Sequence, residues 1–79
     1  MRKVKVSGRD SLLMAFGLSI QKRRREMGLS QEEAAARAGI HRTYFADVER
    51  GSRNVGFKNV VAIARGLDLT PSELLKKIR

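Results

Sequence analysis

The chain has 79 residues, is 42% hydrophobic, and carries 17 Lys and Arg against 8 Asp and Glu, a formal charge of +9. This length makes one small domain with a marginal core, and the hydrophobic fraction is too high for a disordered chain. The absence of cysteine excludes disulfides and thiolate-ligated zinc; no apolar run approaches the roughly 18 residues of a membrane span and no secretory signal is visible, so a cytoplasmic location is expected.

The charge is unevenly placed. Residues 1–29 are net +6, residues 30–54 net zero and residues 55–79 net +3. A basic body suits a polyanion, and nucleic acid is the commonest one. Charge alone leaves standing a soluble protein that is merely basic.

Residues 1–10 read as a basic arm and residues 11–79 as the domain. Met1 to Arg9 lack helical periodicity; a tag remnant or a short strand through Val4 and Val6 are alternatives to a mobile arm. Asp10 or Ser11 can cap a first helix running to about Met27, with Leu13, Phe16, Ile20 and Met27 on one face. Gly28 ends it. Ser30 begins a second helix, and Ser30 with Glu33 forms an S-x-x-E capping box. Ala34, Ala35 and Ala38 give this helix a small-residue face that another helix can approach closely. Gly39 makes a sharp turn, and Ile40 points to the core.

The third helix covers about Arg42 to Arg50, with Phe45 and Val48 inward and Gly51 closing it; Tyr44 is divided between core and surface. The fourth runs from about Phe57 to Arg65, with Phe57, Val60, Val61, Ala64 and Leu67 apolar and Gly66 at its end. Thr70-Pro71-Ser72-Glu73 is a strong helix start, and the last helix extends from Pro71 to about Ile78. The expectation is an all-α, compact five-helix bundle containing a helix-turn-helix.

A short helix held at an angle across another is a common way to place side chains in the DNA major groove. Gln31 starts the second helix, and Arg42 and Thr43 start the third. Helix starts offer free backbone N–H groups and the positive end of the dipole, which suit phosphate. The Gln31 amide can clamp a phosphate, Arg42 can bond guanine O6 and N7 together, and Thr43 can bond a base edge. Ala46 permits close approach. Asp47 would repel phosphate, but it can accept from cytosine N4, orient Arg42 or Arg50, or serve only as a charge partner within its helix. Lys22 to Arg25 is either a phosphate-facing patch or a solvated helix face with one member paired inward.

The segment Phe16 to Leu75 resembles the helix-turn-helix family of phage Cro and repressor proteins, a five-helix DNA-binding fold. The resemblance rests on Gly17-Leu18-Ser19-Ile20, Arg24, Gly28 to Ala35, Ala38-Gly39-Ile40, Val48 to Gly51, Arg53-Asn54, Ile63 to Leu67 and Thr70 to Leu75. Within that family, Arg42-Thr43-Tyr44-Phe45 followed by Glu49-Arg50-Gly51 and Arg53-Asn54 is similar to the controller proteins of restriction–modification systems, small dimeric regulators without a second domain. The resemblance implies DNA contact by Gln31, by Arg42, Thr43 and Ala46 or Asp47, and by Tyr44 near the centre of a half-site. It places Arg50, Ser52, Arg53 and Asn54 near the DNA backbone, and Arg24 with Glu49 as a buried ion pair. His41 departs from the family's usual Ser or Thr at the cap of the recognition helix and is a poor cap, so that helix start would rely on other partners or on DNA.

Two function classes compete. One is a homodimeric transcription regulator on a palindromic operator in double-stranded DNA, repressing by blocking RNA polymerase or activating by touching it. The other is an antitoxin-type protein that holds a toxin partner. An enzyme is disfavoured by the single histidine, the lack of cysteine and the lack of a cluster of paired acids. No cofactor, metal or small-molecule ligand is expected. Leu67, Leu69, Leu74, Leu75 and Ile78 exceed what so short a domain can bury, so some of them are expected to form a dimer face.

Overall fold

A computed structural model describes residues 10–78; the arm expected at residues 1–9 lies outside the described residues. Five helices follow in order: α1 (Ser11–Glu26), α2 (Gln31–Ala38), α3 (Arg42–Arg50), α4 (Phe57–Gly66) and α5 (Pro71–Leu74). Among the described residues there is no strand.

Local chemistry sets most of the helix starts. Asp10 caps α1, its carboxylate accepting from the Leu13 backbone N–H at 3.0 Å. At α2, the Glu33 N–H donates to Ser30 Oγ at 3.0 Å and the Ser30 N–H donates to Glu33 Oε1 at 2.8 Å, completing the capping box. Thr70 and Glu73 repeat this at α5, with Pro71 at the first helical position. The helix-turn-helix corner is Gly39, at φ 71°, a left-handed conformation that disfavours a Cβ.

The core gathers Phe16, Ile20, Ala34, Ala35, Phe45, Val48, Ile63, Ala64, Leu67 and Leu74. Helix α1 packs on α3, and α2 packs on both α3 and α4. The alanine face of α2 is what lets α4 come near. Gly17 does the same between α1 and α3: a Cβ there would lie 2.8 Å from the Val48 carbonyl oxygen, so only glycine permits that approach.

The structure corrects several expectations. The core stripe of α4 runs through Val60, Ile63, Ala64 and Leu67, so Phe57, at the first helical position, carries its ring outside it and is 80% exposed. Ile63, absent from the expected apolar set, is fully buried. Helix α5 closes at Leu74 instead of reaching Ile78, and residues 75–77 continue as turns. Leu67 and Leu74, expected among the residues of a dimer face, are buried in the chain's own core at 1% and 3% exposure. Leu75 stays exposed, while Leu69 and Ile78 are half-buried against the core.

Within the two capping boxes, backbone N–H groups of Ser30 and Thr70, reinforced by their hydroxyl side, hold the Glu33 and Glu73 carboxyls below the ordinary glutamate range. Their folded values are lowered, so this contribution to stability is present above the ordinary glutamate value and is lost as pH falls through the lowered one. Glutamine keeps the capping geometry without a titrating group. The Glu33→Gln/Glu73→Gln variant should therefore show a shallower fall in melting temperature between neutral and acid pH than the wild type, as measured by circular dichroism.

Candidate nucleic-acid interface

At the junction of α1, α2 and α3 lies one buried carboxylate. Glu49, whose side chain is 2% exposed, accepts from Arg24 twice, at 2.5 Å from Nε and 3.1 Å from Nη2. Its Oε1 also accepts from Gln31 Nε2 at 3.0 Å. The remaining reach of Arg24 goes to the Leu29 carbonyl at 2.9 Å, just ahead of α2. The hydrogen bond to Glu49 raises the Arg24 guanidinium above its already high ordinary range, against the opposing effect of burial. One acid thus ties the start of α2 and the far end of α3 to α1.

Gln31, expected to clamp a phosphate, commits one amide N–H to Glu49, because the first position of α2 overlooks that carboxylate; the residue stays half-buried at the helix start. Its neighbour at the next helix start is His41. There the expectation of a poor cap is overturned: Nδ1 of His41 accepts from the Thr43 backbone N–H at 3.1 Å. That bond assigns the proton to Nε2 and makes the ring a working cap.

Arg42 and Thr43 follow as the first residues of α3, both exposed. Arg42 stands 3.9 Å from Glu32 on α2, a loose surface pair with both side chains more than 60% exposed. Such a pair holds little energy and leaves Arg42 free to swing to another acceptor. Glu32 was not expected here; its ten-residue separation from Arg42 becomes contact only through the helix-turn-helix corner. Ala46 is half-buried on the same helix, and Phe45 and Val48 anchor the opposite face in the core.

A second group forms where α3 ends. Asp47 pairs with Arg50 in a close contact and with Arg53 at 3.6 Å. The Arg53 guanidinium lies 4.9 Å from the centroid of the Tyr44 ring, a cation–π contact. Tyr44 is accordingly half-buried, packed against the core on one side and under Arg53 on the other. Ser52 Oγ donates to the Asp47 carbonyl at 3.1 Å, and Asn54, which follows Arg53, is exposed.

The basic run on α1 divides by direction. Arg24 points inward to Glu49, and Arg23 donates through Nε to the Leu67 carbonyl at 2.9 Å. Arg25 remains exposed. Arg37, which the sequence did not single out, donates to the Gly66 carbonyl at 2.6 Å and pairs with Asp68 at 3.1 Å. These arginines cover the carbonyl end of α4. Among the described residues no cluster of His, Cys, Asp or Glu could hold a metal ion, and no helix is long and apolar enough to cross a membrane.

Removing the Glu49 carboxylate strands Arg24 in a largely buried position. Glu49→Ala should destabilise the fold by about 3–5 kcal/mol in urea unfolding, and a paired Arg24→Met/Glu49→Leu variant should recover most of that loss.

Comparison with known proteins accords with this geometry. Residues 20–74 match the helix-turn-helix family. The control protein C.MunI of Mycoplasma sp is 40% identical over 70 residues, covering 87% of this chain and 95% of that protein. The crystal structure of the restriction–modification controller protein C.AhdI from Aeromonas hydrophila superimposes with a TM-score of 0.76 at 44% identity, over 78% of this chain and 94% of that one. The C.Esp1396I controller tetramer, solved in complex with its natural 35 base-pair operator, superimposes with a TM-score of 0.80 at 32% identity, over 87% and 91% of the two chains. The chain belongs to the helix-turn-helix family of DNA-binding regulators and, within it, to the restriction–modification controller proteins.

Proposed function

We propose that the protein binds double-stranded operator DNA as a homodimer, in the cytoplasm, and regulates transcription of a restriction–modification system. The observation that carries this is the placement of exposed Arg42 and Thr43 at the start of α3, on a helix whose other face is locked into the core. The C.Esp1396I tetramer on its operator supports it. No observation favours a toxin-binding role over this one.

The roles follow from the chemistry. The α3 start enters the major groove, where Arg42 forks onto guanine O6 and N7 and Thr43 meets the adjacent base edge. His41 presents its Nε2–H to a phosphate oxygen, and the free backbone N–H groups at the start of α2, beside Gln31, take another. Ala46 lets the helix lie close to the bases. Tyr44, Arg50, Ser52, Arg53 and Asn54 flank the groove and contact the sugar–phosphate backbone. Repression follows where the bound site overlaps that of RNA polymerase, and activation where the protein touches the polymerase.

One recognition helix reads too few base pairs to mark a site, so two copies about 34 Å apart must act together. The dimer face of this chain is an open apolar groove of about 240 Å³, lined by Leu12, Phe16, Val55, Val60, Leu75 and Ile78. Of the leucines first expected there, Leu75 remains on this face, continued by Ile78.

Selection of bound duplexes from a random pool near physiological salt tests the reading. Enrichment of a palindrome with half-sites about ten base pairs apart supports it; binding that vanishes with salt and enriches nothing overturns it. Arg42→Ala should lose discrimination at one base pair in each half-site, at about 1–3 kcal/mol per site in competition titrations. Leu75→Asp should sediment as a folded monomer and bind the selected duplex roughly a hundredfold more weakly, since the two half-sites no longer act as one.

A further inference from the structure

Asp47 is the residue that the proposed interface does not explain. It lies on α3 between the exposed start of the helix and the arginines that follow it, where a carboxylate repels phosphate. Yet its side chain is only 21% exposed, and both of its oxygens face arginines: Oδ1 meets Arg50 and Oδ2 meets Arg53. The second arginine is held from its other side by the Tyr44 ring. The Asp47 backbone carbonyl is fixed as well, accepting the Ser52 N–H at 3.0 Å and the Ser52 hydroxyl at 3.1 Å. A carboxylate engaged by arginines on both oxygens is drawn away from accepting a hydrogen bond from cytosine N4, and the backbone that carries it is held in place.

Two physical consequences follow. The pair of arginines and one acid together carry a single net positive charge, so the cluster offers less to a polyanion than its cations suggest. Each guanidinium has five N–H donors, and contact with one carboxylate oxygen leaves the others for phosphate, now aimed in one direction. Sequence-independent binding is built from the number of phosphates neutralised and tolerates any orientation; operator binding depends on guanidiniums docking at fixed positions. A counter-charge that also orients therefore weakens the first more than the second.

Building on the DNA-binding reading above, we infer that Asp47 is a specificity-determining positioning residue. It aims Arg50 and Arg53 at the backbone and cancels one of their charges, suppressing binding to arbitrary DNA while preserving binding to the operator. It touches no base.

The test uses the full chain, the duplex recovered by selection and a scrambled duplex of equal length, titrated across a range of salt. Asp47→Asn should bind the scrambled duplex roughly threefold to tenfold more tightly, with a salt slope steeper by about 0.9, the value of one further phosphate contact. Its affinity for the selected duplex should change by less than about threefold, so the ratio of the two affinities falls. Asp47→Glu restores the charge and should return the scrambled-duplex slope to that of the wild type. Matched thermal melts establish that α3 is intact in both variants. Equal tightening on both duplexes would reduce Asp47 to bulk charge, and unchanged binding on both would remove it from the interface; either result overturns the inference. So would relaxed preference at a single base pair, which would make Asp47 a base reader. A wild-type protein that prefers no duplex would instead sink the regulator reading itself, before any variant is compared.

Discussion

The buried carboxylate of Glu49 is the constraint on which the recognition geometry depends. It is the meeting point of Arg24 from α1, Gln31 from α2 and its own helix α3. Removing two charges from water is expensive, and well-packed apolar residues could fill the same space at no loss of stability. What the polar node contributes is directional contact between three helices. The two hydrogen bonds from Arg24 and one from Gln31 fix how α2 and α3 sit on α1, and the Arg24 contact to the Leu29 carbonyl extends that hold to the segment before α2. A recognition helix must be placed to within a fraction of an ångström, and this polar node is suited to doing so in a chain with so small a core.

The arginines with protein partners divide into three kinds of work, which the net charge conceals. Arg24 is internal. Arg23 and Arg37 bond the carbonyls of Leu67 and Gly66 and so finish α4, whose last turn would otherwise leave acceptors unpaired. Arg42, Arg50 and Arg53 face outward, each beside an acid from α2 or α3. The outward face of these helices is thus more nearly balanced than a basic chain of this size suggests, and on the proposed function its hold on DNA would draw more on fixed geometry than on bulk attraction.

Much of the fold was legible because its signals are local. The Ser30–Glu33 and Thr70–Glu73 boxes, the Asp10 cap and the Gly39 corner each lie within a few residues of what they organise, and each stands where it was expected. What was not legible depends on partners distant in sequence. Nothing local reports that Gln31 donates to Glu49, eighteen positions away, or that Arg53 covers Tyr44. The apolar residues after Gly66 showed no sign of which belong to the core, because Leu67 and Leu74 are buried by elements that arrive from elsewhere. Phe57 shows the reverse: an apolar residue at helical spacing whose helix begins before the core does. The Arg24–Glu49 pair was anticipated only through resemblance to a family, since neither composition nor periodicity marks a buried ion pair.

His41 combines two duties that most capping residues keep apart. A serine or aspartate at a helix start directs its oxygen toward the backbone and has little left to offer. An imidazole has two nitrogens on opposite edges of a rigid ring: Nδ1 closes the start of α3, and Nε2 remains a donor on an exposed side chain. On the proposal that Nε2 meets a phosphate, position 41 is a point where folding and recognition draw on one ring. Exchange to a smaller cap would leave the helix intact and silence an outward-facing proton, so drift at this position could retune the hold on DNA without any mark on stability.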